Sequence, residues 1–255
     1  MIHRHILSTR EDTLAIITMN RPERRNALSY EHIDELIDAL TTAGASDARA
    51  VVIAANGPAF SAGHDYGDMV ERDLQGFRAL FARCKEMMTL VQSIPQPVIA
   101  SVQGVATGAG CQLVATCDLA VASEEATFAT PGGRGGWFCS TPMVAVSRAI
   151  GRKRALEMLF TGDAIDARTA AEWGLVNRVV PAAELRAATE KLAHAASRGS
   201  TVSKAVGKQA FYAQIDLDQP HAYAYASEVM AASAVTPDGR EAIASFFEKR
   251  KPVYR

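Results

Sequence analysis

Two glycine-bearing segments, Phe60-Ser61-Ala62-Gly63-His64-Asp65 and Gly104-Val105-Ala106-Thr107-Gly108-Ala109-Gly110-Cys111-Gln112, each follow a short apolar run and each lead toward a helical pattern. They confine the chain to folds in which buried strands alternate with helices. The runs before them, Ala50-Val51-Val52-Ile53-Ala54 and Val98-Ile99-Ala100-Ser101-Val102, read as buried strands. Leu14 to Met19 is short and β-branched and stops at Asn20-Arg21-Pro22, a strand followed by a turn, and Leu119-Ala120-Val121-Ala122 is a fourth strand. Ser29 is a predicted N-cap, with Glu31 in the first turn and Ile33, Leu36, Ile37 and Leu40 at helical spacing. A long helix is predicted through Phe77, Leu80, Phe81, Cys84, Met87, Met88 and Val91, ending before Pro95 and Pro97, and a short one through Leu113. From Met143 onward the pattern is almost wholly helical. The predicted class is α/β, strand-turn-helix units followed by helices.

With 255 residues, 48% of them hydrophobic, the chain can bury a large core in one domain or in one domain with a helical appendage. A formal net charge of −1 supplies no global basic field for nucleic acid, so an anionic ligand must be held locally. Cys84, Cys111, Cys117 and Cys139 show no Cys-x-x-Cys spacing, which points to reduced thiols. No apolar leader follows Met1, and no apolar run reaches the length of a membrane span. These features set the expectation of a soluble cytoplasmic protein without membrane insertion. His3, His5, His32, His194 and His221 show no metal-ligand spacing, so no metal is expected.

The glycines do not fit the common nucleotide motifs. His64 stands where a P-loop needs lysine, and Gly104, Gly108 and Gly110 do not form Gly-x-Gly-x-x-Gly. Taken singly, each segment can be a tight turn and nothing more. As a pair, two strand-to-helix turns can aim backbone N–H groups at one oxygen, and the helix after the second adds its positive end.

Asn20-Arg21-Pro22 with Asn26-Ala27-Leu28, the Phe60 to Asp65 turn, Gly104 to Cys111 running into Cys117-Asp118, and Phe128-Ala129-Thr130-Pro131 stand in an order and at separations that resemble the crotonase superfamily, the enoyl-CoA hydratase/isomerase family. The resemblance covers almost the whole chain. The wording of Gly63-His64-Asp65, of Ala109 to Ala115 and of Phe138 to Pro142 is most similar to one branch of that family, which the closing Lys249-Arg250-Lys251-Pro252 also fits.

The resemblance implies a spiral of ββα units (crotonase or ClpP-like) over residues 1–195 and a C-terminal helical region over residues 196–255 that packs on a neighbour, giving trimers or dimers of trimers. It implies an acyl-CoA or enoyl-CoA substrate in fatty-acid metabolism, with coenzyme A present only as part of that substrate and no separate cofactor. The thioester oxygen would be held by the backbone N–H groups of His64 and Ala109, and losing one such donor costs about a hundred- to a thousandfold in rate. Ala62, Asp65 and Tyr66 would border the coenzyme, with Arg24 and Arg25 meeting its phosphates and Lys249 reaching them from a neighbouring chain. As solvated surface charge, Arg24, Arg25 and Lys249 need no such role.

Hydration needs one group to activate water and another to protonate the α-carbon, work suited to paired carboxylates. By the resemblance those positions fall at Gln112 and Gly132, which cannot do it. Gln112 retains hydrogen-bonding capacity toward a water or a carbonyl, or is simply a polar residue in the first turn of a helix. Cys139 is a candidate nucleophile if a helix start lowers its pKa; otherwise Ser140 or Thr141 caps that helix, Pro142 opens it, and Cys139 packs as a small apolar group. Ser140 lies near a nucleophile position of another branch, without a histidine placed by sequence to activate it. Three readings stay open: a thioester enzyme working through the oxyanion hole, a non-catalytic acyl-CoA binder or regulatory homologue, and a thioester hydrolase using Cys139.

Overall fold

The computed structural model describes residues 3–254. An antiparallel pair, β1 (Ile6–Glu11) and β2 (Leu14–Met19), precedes α1 (Tyr30–Gly44). Three ββα turns follow: β3 (Ala50–Ala55), β4 (Ala59–Ser61) and α2 (Leu74–Ser93); β5 (Val98–Val102), β6 (Val105–Thr107) and α3 (Ala109–Thr116); β7 (Leu119–Ser123), β8 (Thr127–Ala129) and α4 (Pro142–Ile150). Then come α5 (Arg152–Thr161), β9 (Ile165–Asp166), α6 (Ala167–Trp173), β10 (Arg178–Val180), α7 (Leu185–Ala196), α8 (Thr201–Gln214), α9 (Gln219–Ala234) and α10 (Pro237–Phe247).

Each ββα turn gives its first strand to one sheet and its second to another, and this makes the spiral. The larger sheet has the order β1-β2-β3-β5-β7-β10 and is parallel from β2 onward; the smaller has the order β4-β6-β8-β9, with only β9 antiparallel. Parallel strands need both faces covered. One face of the larger sheet, carrying Leu14, Val52, Ile99 and Val121, packs on Leu185, Leu192 and Ala193 of α7. The other, carrying Ile17, Ile53, Val98 and Ala100, joins Ile33, Leu36, Leu80, Met87 and Leu113 in the main core.

The predicted strands and helices are present within a residue or two, and Ser29 caps α1 by accepting from the His32 N–H at 3.2 Å. Several expectations need correction. The first glycine segment enters a 3-10 turn at Tyr66–Asp68 before α2, because Asp65 caps that turn by accepting from Gly67 N–H. The second contains a strand, β6, and the helical second half is interrupted by β9 and β10, all too short to show periodicity. Pro142 does open α4, yet neither Ser140 nor Thr141 caps it: Thr141 already has helical dihedrals, where a capping residue is extended.

A polar cluster ties α8 to the core. Lys208 donates to the carbonyls of Val91 and Gln96, both at 2.8 Å, and pairs with Asp118 at 2.7 Å; Tyr212 donates to the other Asp118 oxygen. Met230, Phe246 and Phe247, on the C-terminal helices, are more than three-quarters exposed, at 76%, 79% and 78%. No helix among the described residues is long and apolar enough to cross a membrane.

Candidate active site

The first glycine turn is held by a second loop lying beside it. Asn26, fully buried with a left-handed backbone, donates from its amide to the carbonyls of Asn56 and Ala59, and its side-chain oxygen accepts from Arg21 N–H. Ser61 donates its hydroxyl to the Asn26 carbonyl and accepts from Gly63 N–H at 3.2 Å. Ala62 N–H donates to Arg25 and Asp65 N–H to Leu28, while the Gly63 carbonyl accepts from Leu28. The N–H between them, that of His64, donates to nothing among the described residues.

The second turn leaves a matching donor. Gly108, at φ +56°, donates to the Ala129 carbonyl and precedes α3, so that Ala109 is the first helical residue. The first N–H groups of a helix have no partner within it, and that of Ala109 has none elsewhere among the described residues.

Two glycines allow these turns to touch. Gly63, at φ +84°, sits so close that a β-carbon would lie 2.8 Å from the Thr107 carbonyl oxygen and 3.2 Å from Ala109 N; on Gly110 it would lie 2.3 Å from the Ser61 carbonyl oxygen. Main-chain packing therefore carries the two donors to one place, whatever the side chains at 64 and 109.

Both residues line a cavity of about 660 Å3. Its apolar wall is Phe81, Trp137 and Phe138, backed by Phe77, which stacks on Phe81 and meets Trp137 edge-on. Ala62, Arg24, Arg25, Asp65 and Tyr66 also line it, so the predicted coenzyme-side residues are gathered here, with the exception of Lys249, which follows α10 and lies outside this wall. Asp65 pairs with Arg21 at 2.7 Å and Arg24 at 3.3 Å. Burial pushes its carboxyl up, but the Arg21 hydrogen bond, the Gly67 N–H and the two arginine charges together hold it below the usual carboxylate range.

The acid and base candidates separate. Gln112 is buried in α3 and is not among the residues lining the cavity; its amide oxygen has no hydrogen-bond partner among the described residues. Gly132 lines the cavity with no room for a side chain: a β-carbon would meet the Trp137 carbonyl oxygen at 2.1 Å. Cys139 also lines it, with its sulfur accepting from Gly132 N–H at 3.3 Å. Burial pushes that thiol up and the Gly132 N–H offsets this only in part, the reverse of an activated nucleophile. Ser140 is an exposed wall residue whose hydroxyl donates to the Phe138 carbonyl. All four cysteines are free.

Sequence reasoning missed Glu23, Thr107, Pro131 and Thr141, which also line the cavity. Their signal was adjacency to motifs already singled out. His5, Glu31 and Glu35 bring one potential ligand atom each within 4.8 Å of one another, which histidine spacing could not disclose; both Glu35 oxygens already accept the N–H groups of Arg4 and His5.

The family described as enoyl-CoA hydratase/isomerase matches residues 9–255. The chain is 44% identical over 252 residues to the mitochondrial enoyl-CoA hydratase domain-containing protein 3 of Mus musculus, covering 98% of this chain and 84% of that protein. Among solved structures, an enoyl-CoA hydratase of Mycobacterium smegmatis superposes with a TM-score of 0.94 at 44% identity, over 98% of each chain. The human enoyl coenzyme A hydratase domain-containing protein 3 superposes at 0.93 with 42% identity, over 98% of this chain and 100% of that one. Domain-containing protein 3 stands for the branch that the wording of Gly63 to Asp65 and Ala109 to Ala115 resembles. Its mitochondrial naming overturns the expectation of a cytoplasmic location. That expectation rested on cysteine usage, a missing secretory leader and the lack of a membrane span, none of which carries information on import into an organelle.

Proposed function

The chain belongs to the enoyl-CoA hydratase/isomerase family, and within it we propose that the cavity binds an acyl-CoA thioester and stabilises enolate-like charge on the thioester oxygen through the N–H groups of His64 and Ala109. The observation that carries this reading is the pair of unspent main-chain donors on one cavity wall. Arg24 and Arg25 at the same wall suit the coenzyme phosphates, and Phe81, Trp137 and Phe138 suit an acyl chain of the kind handled in fatty-acid metabolism. Hydration through paired carboxylates is not part of this proposal, since neither Gln112 nor Gly132 offers one. That same absence favours a second reading, an acyl-CoA-binding homologue without turnover. Hydrolysis through Cys139 has no support from its raised thiol pKa. Residues 196–255 would form the self-association region of a trimer or dimer of trimers, for which the exposed Phe246 and Phe247 supply apolar contact surface.

Calorimetric titration with crotonyl-CoA, beside loss of the enoyl absorbance, tests the proposal. Saturable binding that a thioether analogue lacking the carbonyl oxygen cannot reproduce supports the oxyanion site; equal affinity for both overturns it. Turnover separates the first reading from the second.

A further inference from the structure

The cavity wall divides by chemistry. Glu23, Arg24 and Arg25, on one turn, carry charge, while Phe81, Trp137 and Phe138 are aromatic. With the coenzyme phosphates at the arginines, the acyl chain is left the aromatic part, where hydrocarbon gains by leaving water. Phe77 and Phe81 lie four residues apart on one face of α2, and both pack against the main core. The indole of Trp137 reaches them from the segment before α4. It meets both rings edge-on, at centroid distances of 5.6 and 5.7 Å.

Trp137 lines the cavity, whereas Phe77 does not, and Leu74, three residues earlier on the same face of α2, is 64% exposed. The indole thus stands between the cavity and the outer stretch of α2. Main-chain bonds fix it there: Trp137 N–H donates to the Gly132 carbonyl at 2.9 Å, as Gly135 N–H does at 3.1 Å. The next residue, Phe138, meets Phe160 of α5 at 5.8 Å, so consecutive aromatic rings brace this segment on two helices. The indole is also near the oxyanion donors. The His64 and Phe81 rings are 5.4 Å apart, and Trp137 is the next ring contact beyond Phe81.

We propose that Trp137 sets the upper length of the acyl chain, making this a site for short- to medium-chain acyl-CoA thioesters. An extended chain advances about 1.2 Å per bond, so one leaving the oxyanion donors meets the indole after roughly four to eight carbons. Each methylene buried before that stop strengthens binding about fourfold. A methylene beyond it has to fold back or displace a ring braced on α2, and adds no affinity. Trp137 decides which thioester fits and takes no part in bond making, so its role is the same with or without turnover. The inference rests on the acyl-CoA reading of the cavity.

The test is calorimetric affinity for butyryl-, hexanoyl-, octanoyl-, decanoyl- and dodecanoyl-CoA, measured for wild type, Trp137→Ala and Trp137→Phe. In the wild type, affinity should climb with chain length and then break, by octanoyl-CoA at the latest. In Trp137→Ala the break should move to longer chains, raising the affinity for decanoyl-CoA relative to butyryl-CoA about tenfold or more over the wild-type ratio. Trp137→Phe, which keeps a smaller ring, should move the break less, and it carries the test if thermal melting shows the alanine variant unfolded. A merely structural role would scale all five affinities together and leave the break in place. That result, or a wild-type affinity with no break up to dodecanoyl-CoA, overturns the role of Trp137 and leaves the acyl-CoA reading standing. No binding of any of the five by the wild type overturns both.

Discussion

Returning a side chain to position 132 should damage the loop over the cavity before it adds any chemistry. A β-carbon there would lie 2.1 Å from the Trp137 carbonyl oxygen, 2.8 Å from the Cys139 sulfur and 3.1 Å from Cys139 N. Carbon and oxygen pack comfortably at about 3.3 Å, so the backbone at Trp137 has to withdraw by roughly 1 Å. It is not free to do so, because the Gly132 carbonyl accepts from both Gly135 and Trp137 N–H, at 3.1 and 2.9 Å, and Gly132 N–H donates to Cys139. Overpacking of this kind costs about 1–3 kcal/mol, and a strained or broken hydrogen bond adds about 0.5–1.5 kcal/mol. Gly132→Ala is therefore expected to lose about 2–4 kcal/mol, which for a chain of this size lowers Tm by roughly 5–12 °C. Gly135→Ala is the control, since its β-carbon would meet nothing closer than the Gly132 oxygen at 3.7 Å. Differential scanning calorimetry of the three proteins gives the answer. A Gly132→Ala protein melting within a degree of wild type would refute the steric argument, and so would a Gly132→Glu protein that hydrates crotonyl-CoA with its stability intact.

Lys208→Met should destabilise the chain by about 3–5 kcal/mol in urea unfolding, because it leaves Asp118 with its charge uncompensated in a part-buried place; Lys208→Met with Asp118→Asn should recover part of that loss, and equal instability of the two proteins would contradict the ion-pair account. His32, fully buried with its Nδ1 near the Ala27 carbonyl, has its pKa pushed down to about 4, chiefly by burial. The unfolded chain then binds the extra proton between about pH 6.5 and pH 4, so stability present above that window should fall by roughly 3 kcal/mol as pH drops through it; urea midpoints of wild type and His32→Gln across these pH values check this, and parallel slopes would rule out His32 as the source.

The larger sheet was legible because each of its inner strands is a continuous aliphatic run, and a run such as Val98 to Val102 has few alternatives once prolines precede it. The smaller sheet was not. Its strands β4, β6 and β8 have three residues each, shorter than any periodicity can register, and they sit inside segments that read as turns. The site divides in the same way. Gly63, Gly108 and Gly110 announced the two donors because only glycine tolerates those approaches and that backbone. The burial of Gln112 could not be read from its position in a helix's first turn, since it depends on which face α3 turns to the core. Nor could the closure of the loop on Gly132, which follows from contacts to Trp137 and Cys139 several residues away.

This division bears on how the site came to hold one half of its chemistry without the other. The donors at His64 and Ala109 are main-chain groups fixed by glycine contacts and by the Asn26 and Ser61 hydrogen bonds, so substitution at 64, 109, 112 or 132 need not move them. A carboxylate at 112 or 132, by contrast, exists only through the side chain, and Gly132, though it lines the cavity, has no room for one beside Trp137 and Cys139. Under the proposed function, main-chain binding of a thioester is thus structurally separable from any side chain that would transfer its proton.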